Sequence, residues 1–315
     1  MGTKHVAVAA LMSALVVGCG TSDQDSAFEP SVGTTEAALV VANGSQLNGS
    51  QLNGSQLNGP TLNQRLVSVS YAGAKRTGMG PLDEVWLEGS TLHGLLDTDE
   101  LSGVDFQGMQ FVGNLENGGT VTLRVDSVIP GSGAQQDVWS YKVSFQDPTD
   151  MKWYPICTGA DGSPAGAIAL ENRWDYRQGV SGGGSKIHDA TAFTFACEGA
   201  AIAKCVHYGY KPWQSVNGVS LEDYHQTCTR MIRADFCGNG TSYTQDGKWV
   251  NLYDSLNVQT DTESWTPEAE WNAQGASCFT SQTRATAPIQ CADGRLVTSC
   301  GTSFSANTLL ISETP

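Results

Sequence analysis

Basic residues are scarce in this sequence, long apolar runs are nearly absent, and Cys-x-x-Cys pairs are missing altogether. There are 17 Lys and Arg against 32 Asp and Glu, a net charge of −15. No basic stripe exists to displace counterions from phosphates, so nucleic acid is excluded as a partner. Only one apolar stretch, at the N-terminus, approaches membrane length, which excludes a multi-spanning membrane protein. Without Cys-x-x-Cys spacing a zinc site loses its usual ligand pattern. What is present is 315 residues, 40% of them apolar, with 36 glycines and nine cysteines. That is enough for one large or two ordinary domains with a real core. No motif calls for a cofactor.

The N-terminus reads as an export signal. Lys4 and His5 precede an apolar run from Val6 to Val17, too short to span a bilayer. The run ends in Val16-Val17-Gly18-Cys19, which resembles the bacterial lipobox. That resemblance implies a signal peptide over residues 1–18, cleavage before Cys19, and acyl chains of the palmitate type on a diacylglyceryl thioether at that cysteine. Gly20 follows, with no Asp beside the cysteine, so the resemblance favours the outer membrane, with the body periplasmic or surface-exposed. The expected partner there is the membrane itself, reached through the N-terminal lipid, tethered rather than spanning. Residues 19–42 have the Ser, Thr, Asp and Glu content of a disordered tether.

The next segment repeats. Asn43-Gly-Ser-Gln-Leu47 recurs at 48–52 and 53–57, and Asn58-Gly-Pro-Thr-Leu62 follows. Leucines at 47, 52, 57 and 62 give a period of five, which fits neither a helix nor a strand. The run resembles pentapeptide-repeat proteins, in which each leucine points to a shared axis and Asn-Gly turns the corner. An apolar-x-Gly rhythm returns out of phase at Leu87, Leu92, Leu101, Phe106 and Phe111, so repeats and short strands are expected over 43–113. A low-complexity linker followed by hairpins with convenient glycines reads equally well.

From residue 119 to 312 the expectation is a disulfide-stapled, β-rich α+β domain with two helices. Alternation predicts strands over 120–128, 138–145, 152–158, 167–176, 190–195 and 248–253. Helices are predicted over 199–208 and from Ser220, as N-cap, to 234, where Gly238-Asn-Gly240 stops the second. Apart from Cys19, eight cysteines remain: Cys157, Cys197, Cys205, Cys228, Cys237, Cys278, Cys291 and Cys300. An even number in an exported chain points to disulfides. Cys197–Cys205 and Cys228–Cys237 are separated by eight or nine residues. On intact helices that is about 12–13 Å of rise, out of disulfide reach. Bonds across the two helices remain open, and among them Cys205 is expected to pair with Cys228.

Within this stretch, Phe195-Ala-Cys197-Glu-Gly-Ala, Lys204-Cys205-Val-His-Tyr-Gly-Tyr-Lys-Pro-Trp213, Thr227-Cys228-Thr-Arg230 and Ala234-Asp235-Phe236-Cys237-Gly-Asn-Gly240 resemble the ADYC domain. Phe236 stands where the naming Ala-Asp-Tyr-Cys motif has Tyr. The resemblance implies an exported protein of myxobacterial type and carries no catalytic residues with it.

Three chemistries are open to the cluster. A nucleophilic site would use Cys237 as thiolate, His207 or His225 as base and Asp235 to orient it. His225 and Cys237 are about 18 Å apart along one helix, so His207 would have to reach across. A calcium site would draw on Asp235, Asn239 and Asp246, at EF-hand-like positions with Gly240 for the turn, although Cys237 and the aspartate at the last position spoil the match. Trp213, Trp249, Tyr253, Trp265 and Trp271 would line a glycan-binding face, or serve as core and rim. The sequence favours a non-enzymatic envelope or cell-surface interaction module, with a surface protein or glycan as partner. The alternative is an extracytoplasmic hydrolase built on 205–237.

Overall fold

The computed structural model describes residues 62–291 without a break, together with 2, 45–47, 51–52, 54, 56–60, 300, 303–304 and 307–315. Cys19, the expected cleavage point and the tether lie outside the described residues, as do residues 43–44, 48–50, 53, 55 and 61 of the repeats.

The chain opens with two short strands, β1 (Ser45–Leu47) and β2 (Gln56–Asn58), and then a long β3 (Asn63–Arg76). A meander follows, β4 (Glu84–Glu88), β5 (Thr91–Leu96) and β6 (Asp99–Ser102), and then β7 (Met109–Leu115), β8 (Thr120–Ile129), β9 (Ser140–Gln146) and β10 (Trp153–Pro155). Next come β11 (Ala167–Glu171), β12 (Arg173–Trp174), β13 (Lys186–Ile187) and β14 (Ala192–Cys197). Helix α1 (Ala201–His207), the ribbon β15 (Ser215–Val216) and β16 (Val219–Ser220), and helix α2 (Glu222–Ile232) lead to β17 (Lys248–Asp254), β18 (Thr266–Asn272), β19 (Gly275–Phe279) and β20 (Leu310–Thr314).

Six of these strands close on themselves. β8 pairs with β9, β9 with β11, β11 with β14, β14 with β3, β3 with β7, and β7 with β8, every pair antiparallel. Closure follows from the pattern of the strands. β7 alternates buried and half-buried along its whole length, which gives it one inner and one outer face. Phe111, Phe193 and Phe195 meet inside at centroid distances of 5.0–6.3 Å, mostly edge to face. β14 is buried at every position because its outer face is covered as well. Ala196 on β14, with Ile168 and Leu170 on β11, packs outside the barrel against Ile202 and Val206 of α1.

The helices form a middle layer. α1 lies on the barrel, and α2 lies between α1 and a second sheet ordered β1-β17-β20-β18-β19. Cys205 and Cys228 join the two helices, the cross-helix pairing expected from the sequence. Cys157–Cys197, Cys237–Cys291 and Cys278–Cys300 complete the set. The second helix starts at Glu222 rather than directly after Ser220, whose hydroxyl instead accepts the Glu222 N–H at 3.2 Å.

The expected boundary between 113 and 119 falls inside the barrel. β3 and β7 precede it, β8 follows it, and all three are neighbours in one sheet. The apolar-x-Gly rhythm of 87–111 belongs to antiparallel strands: Leu87 and Leu92 face each other across β4 and β5, and Phe111 lies on β7. The described repeats behave as a strap instead of a coil with a shared axis. β1 extends the second sheet along β17, and β2 pairs with β3 at the barrel. Between them, the carbonyls of Gln51 and Leu52 accept the N–H groups of Ala201 and Ile202 at 3.0 and 3.1 Å. Helix α1 has no side-chain cap, so the strap satisfies its first donors. Leu52 packs with the α1 cluster, whereas Leu57 and Leu62 pack with the barrel core. Gly54 has φ +73° and passes so close to Cys197 that a Cβ would sit 2.9 Å from that residue's Cβ, which only glycine allows.

The end of α2 carries two buried ion pairs. Arg230 binds Asp235, and both are at most 2% exposed. Arg284 binds Glu268 in the same way and also donates to the Met231 carbonyl. Asp235→Ala would leave the Arg230 guanidinium buried and uncompensated. We expect it to lower unfolding stability by about 3–5 kcal/mol, read from urea denaturation with the disulfides intact. A loss near zero would show that the pair does not organise this end of the helix.

Candidate functional site

The Ala234–Cys237 motif is a helix terminus. Ala234 has φ +51°, its N–H donates to the Met231 carbonyl, and the Asp235 N–H donates to the Arg230 carbonyl. This is the Schellman arrangement, with alanine at the position glycine usually takes. The residues before and after the reversal, which commonly touch through apolar groups, are here joined by the Arg230–Asp235 pair. Asp235 also accepts the N–H groups of Asn239 and Gly240 at 3.1 and 2.9 Å. Arg230 reaches the Gly183 carbonyl, the Ser185 hydroxyl and the Ala273 carbonyl. One guanidinium thus pins the 183–185 loop and the β18–β19 turn to α2. Phe236 packs in the second core against Trp271 and Phe279 at 5.0 and 5.3 Å.

The candidate nucleophilic residues serve this packing. Cys237 is bonded to Cys291 and so offers no thiolate. His225 is fully buried, with Nε2 3.0 Å from the Ile202 carbonyl, and burial together with the Lys186 charge pushes its pKa down to about 3. His207 makes no ring hydrogen bond among the described residues, and burial, aided by Lys211, lowers its pKa to about 4. Both are neutral imidazoles at neutral pH. Asp235 orients neither ring, because its oxygens are engaged by Arg230 and the following backbone. The calcium spacing is not assembled either. Asp235 is so engaged, Asn239 accepts the Thr241 N–H, and Asp246 is exposed. The metal-capable grouping among the described residues is Glu270, Cys278 and Cys300, whose sulfurs are joined to each other.

The aromatic residues are dispersed. Trp271 is buried in the second core. Trp249 and Trp265 meet edge to face at 6.2 Å, and Tyr253 contacts Phe304. Trp213 alone faces a cleft. This cleft encloses about 110 Å³ and is lined by Glu171, Asn172, Lys186, Pro212, Trp213 and Glu222, with Gly89 at its edge. It sits where the barrel, the α1–β15 turn and the start of α2 converge.

Each wall is fixed from behind. The Trp213 indole donates to Asp137 at 2.8 Å, and Asp137 also accepts from Lys211 and Gln214. Against the opposing effect of burial, the hydrogen bonds from Lys211 and Trp213 and the Lys211 charge hold the Asp137 carboxyl below its ordinary range. Gly89, at φ +64°, lies flat against the indole; a Cβ there would come within 3.2 Å of the ring nitrogen. The Lys186 side chain is only 8% exposed, with its ammonium 3.4 Å from Glu222 and 5.4 Å from the centre of the Trp174 ring. Its pKa is lowered because desolvation outweighs the attraction of Glu222. Asn172 interrupts the predicted 167–176 strand with φ +74°, and its side-chain oxygen accepts the Asp189 N–H at 2.9 Å. Of the lining residues, sequence reading singled out Trp213. The others come from segments remote in the chain and carry no motif. Asn172, inside an otherwise regular strand, was the one available signal.

The ADYC domain model matches residues 103–285. The chain belongs to the ADYC-domain family. The match starts ahead of residue 119, in agreement with the barrel's continuity across that point. No curated protein and no solved structure matches the chain. In this ADYC domain the naming motif builds the helix terminus, and the cleft lies apart from it.

The two depressed histidines make a pH prediction. As pH falls from about 6.5, the unfolded chain takes up protons that folded His207 and His225 refuse until about 4 and about 3. Stability present above about 6.5 is therefore lost on acidification. Each histidine contributes a slope of up to ~1.4 kcal/mol per pH unit. His225→Gln keeps a donor for the Ile202 carbonyl and removes the titration. It should flatten the denaturation midpoint against pH in that window. An unchanged slope would mean that His225 already protonates in the folded state.

Proposed function

We propose that the chain is a non-enzymatic interaction module of the cell envelope or surface, exported, processed before Cys19 and held at the outer membrane by lipid. One observation carries the reading of the body: the residues a thiol hydrolase would use are spent on structure. Cys237 is in a disulfide, His225 is sealed between the helices and Asp235 is committed to Arg230. All eight cysteines beyond Cys19 are paired, which suits a chain that must last in an oxidising compartment. A fixed indole beside charged and amide side chains, Glu171, Asn172, Lys186 and Glu222, suits ligand binding. Attachment at Cys19 follows from the lipobox resemblance and places the partner outside the cytoplasm, as a glycan or a surface protein. The acidic balance gives nucleic acid no footing.

Two measurements test the two halves. The native exported protein should show no alkylatable thiol, before or after denaturation without reductant. Rapid modification of Cys237 by iodoacetamide would overturn the module reading in favour of the hydrolase. Cys19→Ala should move the protein from the membrane to the soluble fraction, as followed by immunoblot. Unchanged membrane fractionation would overturn the lipid anchor.

A further inference from the structure

We propose that the cleft between Trp213 and Lys186 binds a single neutral pyranose unit of a glycan. This rests on the reading of the chain as a binding module and names its ligand class. The donor and acceptor inventory selects the ligand. Glu171 and Glu222 are acceptors, 42% of the Glu222 side chain being exposed. Lys186 is a donor only, and Asn172, with its oxygen engaged by Asp189, has Nδ2 to donate. The part of the Trp213 indole that Gly89 leaves uncovered adds a small apolar surface beside them.

Other classes fit worse. An anion meets two carboxylates on a chain of net charge −15. A wholly apolar ligand would strip water from Glu171, Glu222 and Lys186 without replacing their hydrogen bonds. A cation is drawn by the glutamates but repelled by the Lys186 ammonium, which already sits 3.4 Å from Glu222. A sugar ring meets every requirement at once. A hydroxyl donates to a carboxylate and accepts from an amine or amide, and a C–H edge of the ring rests against the indole surface that the cleft exposes. At about 110 Å³, open to solvent, the cleft has room for no more than one ring.

The site is also built before any ligand arrives. Asp137 and Gly89 lock the indole, and Trp174 and Glu222 hold Lys186, whose amine lies at the cleft with little freedom left to lose. Ordering these groups in advance removes part of the entropic cost of binding.

The test uses the full exported protein, disulfides intact, titrated with the methyl glycosides of glucose, galactose, mannose and N-acetylglucosamine. Amide and indole resonances are followed by NMR. The expected result is saturable shifts at Trp213, Lys186 and Glu222 with at least one glycoside. Glu171→Gln, an exposed substitution that leaves the fold untouched, should weaken binding by about tenfold. Trp213→Phe should weaken it also, with the melting temperature reported alongside to confirm folding. No shift with any of the four glycosides, or binding unaffected by both substitutions, overturns the proposal. Spermidine bound at the cleft in place of the sugars overturns the ligand class while leaving the module reading intact. The module reading falls only to a reactive thiol or to hydrolytic turnover, which this titration does not measure.

Discussion

The Arg230–Asp235 pair is the constraint on which the middle of the molecule depends. Two opposite charges with almost no exposure are costly to bury and must find every partner they need. They do so by drawing three segments together: the 183–185 loop, the β18–β19 turn and the chain leaving α2. Because α2 lies between α1 and the second sheet, fixing its end sets the register of both layers. The Cys205–Cys228 bond holds the helix to α1 on one side, and Cys237–Cys291 ties down the chain just beyond the reversal. Lys186 follows directly after that loop, so the same guanidinium that terminates the helix also places the amine at the cleft.

The N-terminal strap solves a different problem. An exposed sheet edge templates further pairing, and an uncapped helix start leaves donors unsatisfied. β1 runs along β17, the Gln51 and Leu52 carbonyls cap α1, and β2 runs along β3. Near-identical five-residue units thus do three different things, because each meets a different surface. A short polar-rich repeat with one leucine per unit supplies an anchor and spare backbone groups wherever it is laid down. Four units make a single coil, and a single coil cannot bury its own leucines. Leu52 and Leu57 therefore go to the cores that the rest of the chain provides.

What could be read in advance divides along the same line. Strands such as β8 and β9, which alternate along the chain, announce themselves. Helical rise forbids the sequence-near pairings and directs the bonds across the two helices, where Cys205–Cys228 lies. Barrel closure was not, since it depends on β9 pairing with both β8 and β11, a long-range fact that no local pattern encodes. The boundary near 113–119 was misplaced because a change from repeat-like to alternating sequence marks a change of composition, and the sheet continues through it. Asn172 looked like one more strand residue. Its left-handed backbone breaks the strand and turns the chain into the cleft.

The candidate chemistry illustrates why residue type alone misleads. Cysteine, histidine and aspartate gather around 205–237 in a layer packed on both sides, between the barrel and the second sheet. There a disulfide, a neutral imidazole and an ion pair are each ways of filling a buried position with its valences satisfied. Burial lowers both imidazole pKa values and leaves them uncharged, which suits packing and removes the bases poised near neutrality that catalysis would need. Polar groups that keep access to solvent instead collect at the seam, where barrel, turn and helix meet without filling the space between them. A seam of this kind can hold donors, acceptors and part of an indole in fixed positions without having to bury any of them completely.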